Sequence, residues 1–358
     1  MQTRHQLYFG DSRKIKGIAQ QSIDLVVTSP PYPMIEMWDE TFSGQSAKAE
    51  QALASLDGGR AFEAMHQVLD RVWNQVIRLL KPGGFACINI GDATRKIGDH
   101  FMLYPNHARF LSYFFKKGLS PLPAILWRKQ TNAPNKFMGS GMLPAGAYVT
   151  LEHEYVLILR KGAKRAFDTP DEKANRHQSA IFWEERNQWF SDVWTDLKGV
   201  RQEMLDKSVR DRSGAFPFEL AYRLINMYSV AGDTVFDPFL GAGTTMAAAM
   251  VSARHSIGSE LAADFLPGIQ KIVAQVVPFG NQVISDRLSR HAEFVREREA
   301  AGKEIKYSSR FYGFPVMTNQ EKDIFFYRPK AVDAEGGDRF KVVYRSKPLN
   351  EDLFSNNL

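Results

Sequence analysis

The stretch Thr234-Val235-Phe236-Asp237-Pro238-Phe239-Leu240-Gly241-Ala242-Gly243-Thr244-Thr245 is where the fold is read. Thr234 to Asp237 reads as a short strand, the glycines at 241 and 243 as a tight turn, and Thr244 to Val251 as the helix that follows. A glycine turn between strand and helix lets backbone N–H groups come close to a ligand, and the helix N-terminus favours negative charge such as a carboxylate. Fifteen residues beyond Thr245, Glu260 closes the next strand, Ser256-Ile257-Gly258-Ser259-Glu260. An acid at that strand end can accept hydrogen bonds from a ribose diol. Gly-x-Gly alone is a weak signal. With Asp237-Pro238-Phe239 before it and Glu260 after it, the pattern predicts a nucleoside ligand.

Outward from this turn, strands and helices alternate. Leu7-Tyr8-Phe9, Ile23 to Val27, Phe85 to Ile90, Ala124 to Trp127 and Tyr155 to Leu159 are apolar, strand-like runs. Phe62, Met65, Val68, Leu69, Val72, Val76, Leu79 and Leu80 recur at helical spacing up to the turn Lys81-Pro82-Gly83-Gly84, and His107 to Phe115 reads as a further helix. Phe216-Pro217-Phe218 opens another helix, with proline in its first turn. This alternation predicts an α/β fold with a mostly parallel sheet flanked by helices. Between Arg128 and about Asp211 the pattern loosens into Asn-, Gly- and Met-rich sequence and then mixed aromatics and charges. That composition predicts an insertion, interrupted by the strand at 155–159. Beyond Ser285 a charged helix runs to Lys303, and a hairpin is expected from Ile324 to Tyr327 and Phe340 to Tyr344 around Glu335-Gly336-Gly337-Asp338.

A second string stands at the abrupt end of the strand Ile23 to Val27: Thr28-Ser29-Pro30-Pro31-Tyr32. The Ser29 hydroxyl and the Pro30 carbonyl are acceptors, the prolines lack N–H groups and stiffen the turn, and Tyr32 offers a flat face. An exocyclic amine on a nucleobase is a poor nucleophile, because its lone pair is delocalised into the ring. Acceptors that bind its hydrogens and favour a pyramidal nitrogen lower that barrier. A strand's C-terminal end is also where open α/β sheets bind ligands.

Composition narrows the classes. Hydrophobic content of 44% and charged content of 24% are those of an ordinary globular protein, and no apolar run approaches a membrane span. The start has no apolar signal-peptide core, so a cytoplasmic protein is expected. Net charge is +6, with bases interspersed among acids, so a polyanion-binding face must be assembled by folding. The single cysteine, Cys87, excludes an internal disulfide and a multi-cysteine metal site; no metal is expected. It sits in the apolar run Phe85 to Ile90, which reads as core and excludes covalent attack on a cytosine ring at C5.

Taken together, these residues resemble the permuted, β-group amino-methyltransferases of DNA, in which a catalytic Pro-Pro-Tyr half precedes a target-recognition insertion and the cofactor half follows. The match spans about Gln6 to Phe265 apart from the insertion. The resemblance implies a Rossmann-like fold and S-adenosyl-L-methionine as cofactor. It assigns catalysis to Ser29, Pro30, Pro31 and Tyr32. It assigns cofactor binding to Asp11, Phe216, Pro217, Asp237, Pro238, Phe239, Gly241, Gly243, Thr244, Thr245 and Glu260. It divides the chain into a catalytic half at 1–127, a target-recognition insertion at 128–210, a cofactor half at 211–284 and a C-terminal extension at 285–358. Serine before Pro-Pro-Tyr marks the cytosine-N4 enzymes and Asp or Asn the adenine-N6 enzymes, so Ser29 implies a site-specific cytosine-N4 methyltransferase that flips its base out of the duplex. Adenine-N6 is the alternative. A rival acting on RNA or a protein amide would place the cofactor turn first, and a silent module that only grips DNA would not need the intact Ser29 to Tyr32 string. Partners in keeping with the resemblance are double-stranded DNA, a second copy of the chain and a restriction endonuclease of the same site, without a membrane. Arg128, Lys129, Asn132, Asn135, Lys136 and the aromatics near Trp189 are the insertion's candidates for base and phosphate contacts.

Overall fold

The strand containing Ile23 to Val27 is buried on both faces, which only the middle of a covered parallel sheet requires. A computed structural model places it there, and residues 1–129, 138–197 and 216–348 are described. The sheet strands are β1 (Gln2–Phe9), β2 (Ile23–Thr28), β3 (Leu80–Ile90), β6 (Leu119–Arg128), β7 (His153–Lys161), β8 (Val193–Trp194), β9 (Thr234–Asp237), β10 (His255–Glu260), β11 (Pro329–Ala334) and β12 (Arg339–Tyr344); β4 (Ala93–Ile97) and β5 (His100–Tyr104) form a separate hairpin. The helices used below are α1 (Gly58–Leu79), α2 (Asn106–Lys116), α3 (Pro170–Gln178), α4 (Trp183–Trp189), α5 (Phe218–Tyr228), α6 (Thr244–Val251) and α7 (Leu266–Ala300).

The sheet runs β8-β6-β7-β3-β2-β9-β10-β1-β12-β11. Its middle, β3-β2-β9-β10-β1, is parallel throughout, β7 is antiparallel to both neighbours, and β12 and β11 add an antiparallel edge. Alternate residues feed two cores, as a pleated strand covered on both faces requires. Leu25, Val27, Cys87, Ile158 and Val235 enter one; Ile23, Val26, Ile88, Leu159 and Phe236 enter the other. α1 buries Met65, Val68, Leu69, Val72, Trp73, Val76 and Leu79 along one stripe, is capped by the Asp57 carboxylate on the Arg60 N–H, and runs directly into β3. The α/β class and the mostly parallel sheet are as expected. No described helix is long and apolar enough to cross a membrane.

Several elements differ from expectation. The first hairpin strand is Pro329–Ala334, not Ile324 to Tyr327. Ile324 and Phe326 are instead buried in a small cluster with Phe182, Ile284, Leu288 and Phe314, so their alternation reports packing without a ladder. The run at 124–127 belongs to a longer strand that tolerates Pro121 and Pro123, because β8 pairs only with Leu126 and Trp127 and leaves the earlier edge open. The loosened segment contributes β7 and β8 to the main sheet, and α7 runs continuously across position 285. Asn132, Asn135 and Lys136 lie outside the described residues.

Candidate active site

Chain order reverses direction across the sheet between β2 and β9: β3 follows β2 on one side, and β10 follows β9 on the other. Loops leaving the C-terminal ends of such a strand pair diverge and open a crevice between them, the usual ligand position of an open α/β sheet. The two strings singled out from sequence leave these two ends, Ser29 to Tyr32 from β2 and Pro238 to Gly243 from β9.

They are joined at the base. The Thr28 hydroxyl donates to Asp237 Oδ1 at 2.5 Å, the Thr245 hydroxyl to Oδ2 at 2.7 Å, and the Phe239 N–H to Oδ1 at 3.0 Å. Asp237 is only 2% exposed, so its carboxylate ties the two loops and the first turn of α6 together and does not face the crevice. Burial pushes its pKa up to about 6, against the stabilising hydrogen bonds from Thr245 and Thr28. A carboxyl raised this way binds its proton more tightly folded than unfolded. Its contribution is therefore fully present below about pH 4 and is lost as pH rises through about 6, an effect of the order of 3 kcal/mol. Asp237→Asn should remove that component. In denaturant titrations, the stability difference between wild type and variant should change between pH 4 and 6.5; a difference independent of pH there would show that Asp237 keeps an ordinary pKa.

The glycine turn has the backbone that its sequence demands. Gly241 and Gly243 take φ of +53° and +90°, and Gly243 caps α6. A Cβ at Gly241 would meet nothing within 4 Å, and neither would one at Gly10, whose N–H bonds the Glu260 carbonyl at 2.8 Å, so both glycines border open space. Glu260 reaches back over the turn, accepting from the Gly241 N–H at 2.8 Å and the Ala262 N–H at 3.0 Å. Each carboxylate oxygen retains a lone pair for a further donor. Pro238 gives its carbonyl to the Ser12 hydroxyl at 2.6 Å; the same hydroxyl reaches Ser259 Oγ at 2.8 Å and docks the loop after β1 on the turn. Asp11 beside it accepts from the backbone and side chain of Arg13, whose guanidinium holds its carboxyl below the usual range. Phe239 packs edge-on against Trp73, while Thr244, Thr245, Phe216 and Pro217 are buried, Phe216 in the core that also holds Leu240 and Ala242. Ser12 was not singled out from sequence, where one serine after Gly10-Asp11 carries no signal.

The Ser29 to Tyr32 loop closes the other side. Ser29 Oγ and Tyr32 Oη are 3.0 Å apart. The Tyr32 hydroxyl donates to Glu154 Oε2 at 2.9 Å and accepts from the Asn89 amide at 2.8 Å; Asn89 also donates to Glu154 Oε2 at 2.6 Å, and the Lys129 ammonium binds Glu154 Oε1. Burial, reinforced by the Glu154 charge, pushes the Tyr32 phenol well above its ordinary pKa, so it stays protonated. The Tyr32 ring lies so close to Gly91 that a Cβ there would stand 2.9 Å from it. Asn89, Gly91 and Glu154 were missed in the sequence. The available signals were a polar residue inside the apolar run Phe85 to Ile90 and an acid immediately before Tyr155 to Leu159.

Other expectations are placed differently. Lys129 joins the network of the Ser29 to Tyr32 loop and lies 5.0 Å over the Trp127 ring, while Arg128 pairs with Glu152 at 3.0 Å. Trp189 and Trp194 are core residues, 2% and 0% exposed, and present no face to a base; Phe190 is exposed. Cys87 is buried, and burial drives its thiol far above its ordinary pKa, which removes it as a nucleophile. A cleft of about 820 Å³ lined by Asp24, Lys81, Gly83, Arg165 and Phe190 lies at the N-terminal end of β2, and no residue of either string lines it.

The family model described as DNA methylase, covering N6 and N4 enzymes, matches residues 23–271. The chain is 51% identical over 346 residues, 96% of each chain, to the type II methyltransferase M.MthZI of Methanothermobacter thermautotrophicus. It is 46% identical over 280 residues, 75% of this chain and 91% of the relative, to the type II methyltransferase M.MjaI of Methanocaldococcus jannaschii. A candidate DNA modification methylase of Thermus thermophilus, solved in complex with S-adenosyl-L-methionine, superposes with a TM-score of 0.59 at 32% identity, covering 76% of this chain and 96% of that one. The chain belongs to the N6/N4 family of DNA methylases.

Proposed function

We propose that this enzyme transfers the methyl group of S-adenosyl-L-methionine to the exocyclic N4 amine of a cytosine flipped out of duplex DNA. The observation that carries the reading is the convergence at one crevice of the Ser29 to Tyr32 loop and the Gly241–Gly243 turn, tied together by Asp237. The cofactor fits what the crevice offers: open space beside Gly10 and Gly241, and carboxylate lone pairs on Glu260 for a ribose diol. S-adenosyl-L-methionine brings an activated methyl on a sulfonium, so positioning and charge complementarity matter more than a strong base.

The protein's part is to hold the amine. Ser29 Oγ and the Pro30 carbonyl accept its hydrogens, and the rigid prolines keep those acceptors aimed. Serine at position 29 favours cytosine over adenine by the family pattern. Extrusion of the base costs a few kcal/mol and is offset by its contacts in the pocket. In this permuted, β-group arrangement the segment 128–210, outside the strands it lends to the sheet, is the reader of the target sequence, and the segment from 285 is an accessory piece. The enzyme is cytoplasmic and acts in a type II restriction–modification setting, where a nuclease of the same site and a second copy of the chain are candidate partners.

The test is mass spectrometry of nucleosides from mixed-sequence duplex DNA incubated with the protein and S-adenosyl-L-methionine. N4-methylcytosine is expected, and its sequence context gives the target. N6-methyladenine would overturn the choice of base. Tight cofactor binding without any methylated base would turn the chain into a silent DNA-gripping module.

A further inference from the structure

The Tyr32 hydroxyl has three polar neighbours and one hydrogen. The Asn89 amide nitrogen can only donate, and it does so to Tyr32 Oη at 2.8 Å and to Glu154 Oε2 at 2.6 Å. The Glu154 carboxylate, with the Lys129 ammonium on its other oxygen, can only accept. The single phenolic hydrogen must therefore point to Glu154 Oε2, 2.9 Å away. Tyr32 Oη then has acceptor capacity left for the remaining neighbour, Ser29 Oγ at 3.0 Å, and no hydrogen to give it. So the Ser29 hydrogen is directed to Tyr32.

We propose that Glu154 is a positioning residue for methyl transfer: acting through Tyr32, it fixes the direction of the Ser29 hydroxyl so that Ser29 Oγ presents lone pairs, not its hydrogen, to the target amine. The inference rests on the reading that Ser29 receives the amine, and it holds for the amino group of either base. An amine whose lone pair is delocalised approaches with its hydrogens, so a hydroxyl hydrogen aimed at it would repel, while an oxygen aimed at it accepts and favours the pyramidal nitrogen. The arrangement is held from every side. Glu154 is 8% exposed, the Tyr32 ring lies against Gly91, and Asn89 keeps its NH2 toward the carboxylate because its own oxygen would face another acceptor there. Glu154 stands on β7, a strand supplied from within the insertion, so the insertion takes part in arming the catalytic loop.

Glu154→Gln tests this when made in an Asn89→Leu parent, because the Asn89 amide would otherwise turn its oxygen toward the new NH2 and take the phenolic hydrogen itself. Lys129 holds the amide oxygen, the amide nitrogen turns to Tyr32, and the phenolic hydrogen is released to Ser29, whose own hydrogen then faces the amine. The single-turnover rate at saturating cofactor should fall about 100-fold, with S-adenosyl-L-methionine affinity by calorimetry unchanged. The decisive readout is a double-mutant cycle. In a Ser29→Ala background there is no hydroxyl to direct, and in a Tyr32→Phe background there is no link to direct it, so adding Glu154→Gln should cause no further loss in either. The same fold loss in the Asn89→Leu parent and in both backgrounds built on it, or no loss in that parent, would overturn the proposal. The wild-type product on the same DNA is identified separately. A different methylated base, or a Ser29→Ala variant as fast as wild type, would therefore count against the functional reading and is distinguishable from a failed cycle.

Discussion

Tyr32→Ala is expected to reduce methyl transfer by about three orders of magnitude while leaving S-adenosyl-L-methionine affinity nearly unchanged. On the proposed function the substitution removes both the ring that would stack on the base and the hydroxyl 3.0 Å from Ser29 Oγ, so the base loses its stacking surface and its amine the oriented acceptor together. The glycine-turn side of the crevice, where the proposal puts the cofactor, does not depend on this side chain: Asp237, Glu260 and Ser12 make their hydrogen bonds with Thr28, Thr245 and the backbone of the glycine turn. Single-turnover transfer on duplex DNA beside calorimetric cofactor binding separates the two. A parallel loss of both would show that the loop supports the cofactor and is misassigned. Tyr32→Phe, which keeps the ring, should lose less.

The largest expected effect on stability lies far from the crevice. Arg287 of α7 is 2% exposed, and its guanidinium forms a bidentate pair with Glu185 of α4 at 2.5 and 2.7 Å, bonds the Tyr222 hydroxyl at 3.1 Å and lies 5.0 Å over the Trp189 ring. Arg287→Leu leaves the Glu185 carboxylate, itself largely buried, without its countercharge. Breaking a buried pair from one side costs about 3–5 kcal/mol. A shift of the urea midpoint with an unchanged slope would measure it, and a shift below about 1 kcal/mol would show that water reaches Glu185. Adding Glu185→Gln should recover part of the loss, because the unpaired charge is then gone. The same contact explains why the chain beyond 285 is not a loose appendage. α7 crosses that position unbroken, His291 stacks on Phe182 at 3.9 Å and bonds Glu184 at 2.7 Å, and β12 pairs with β1 at the sheet edge.

Much of the fold was legible because its signals are local. Ile23 to Val27 and Phe85 to Ile90 are runs that only a buried strand accommodates, and the stripe from Met65 to Leu79 has the period of a helix packed on one side. The hairpin of β4 and β5 was missed because Arg95, Lys96 and His100 give it no apolar alternation across its whole length. Ile324 and Phe326 imitated a strand because alternation reports which side chains are buried, and a loop laid over an apolar cluster buries alternate residues as well. The aromatics around Trp189 have the composition of a base-contacting surface, and composition does not say which face is turned inward.

The candidate site divides along the same line. Ser29, Pro30, Pro31, Tyr32, Gly241, Gly243 and Glu260 could be named from sequence because each belongs to a short string whose chemistry is contained in itself: rigid acceptors, glycine backbone, an acid at a strand end. Tertiary structure alone decided what Asp237, Asn89, Glu154 and Lys129 do. Asp237 sits in the glycine string, yet its partners Thr28 and Thr245 lie 209 residues before it and 8 after it in the chain, and together they make it a buried tie between two loops. Glu154 meets Tyr32 across 122 residues of chain, brought there because β7 pairs antiparallel with β3. The direction of a hydrogen bond depends on every donor and acceptor around it, and those neighbours exist only once the sheet has assembled.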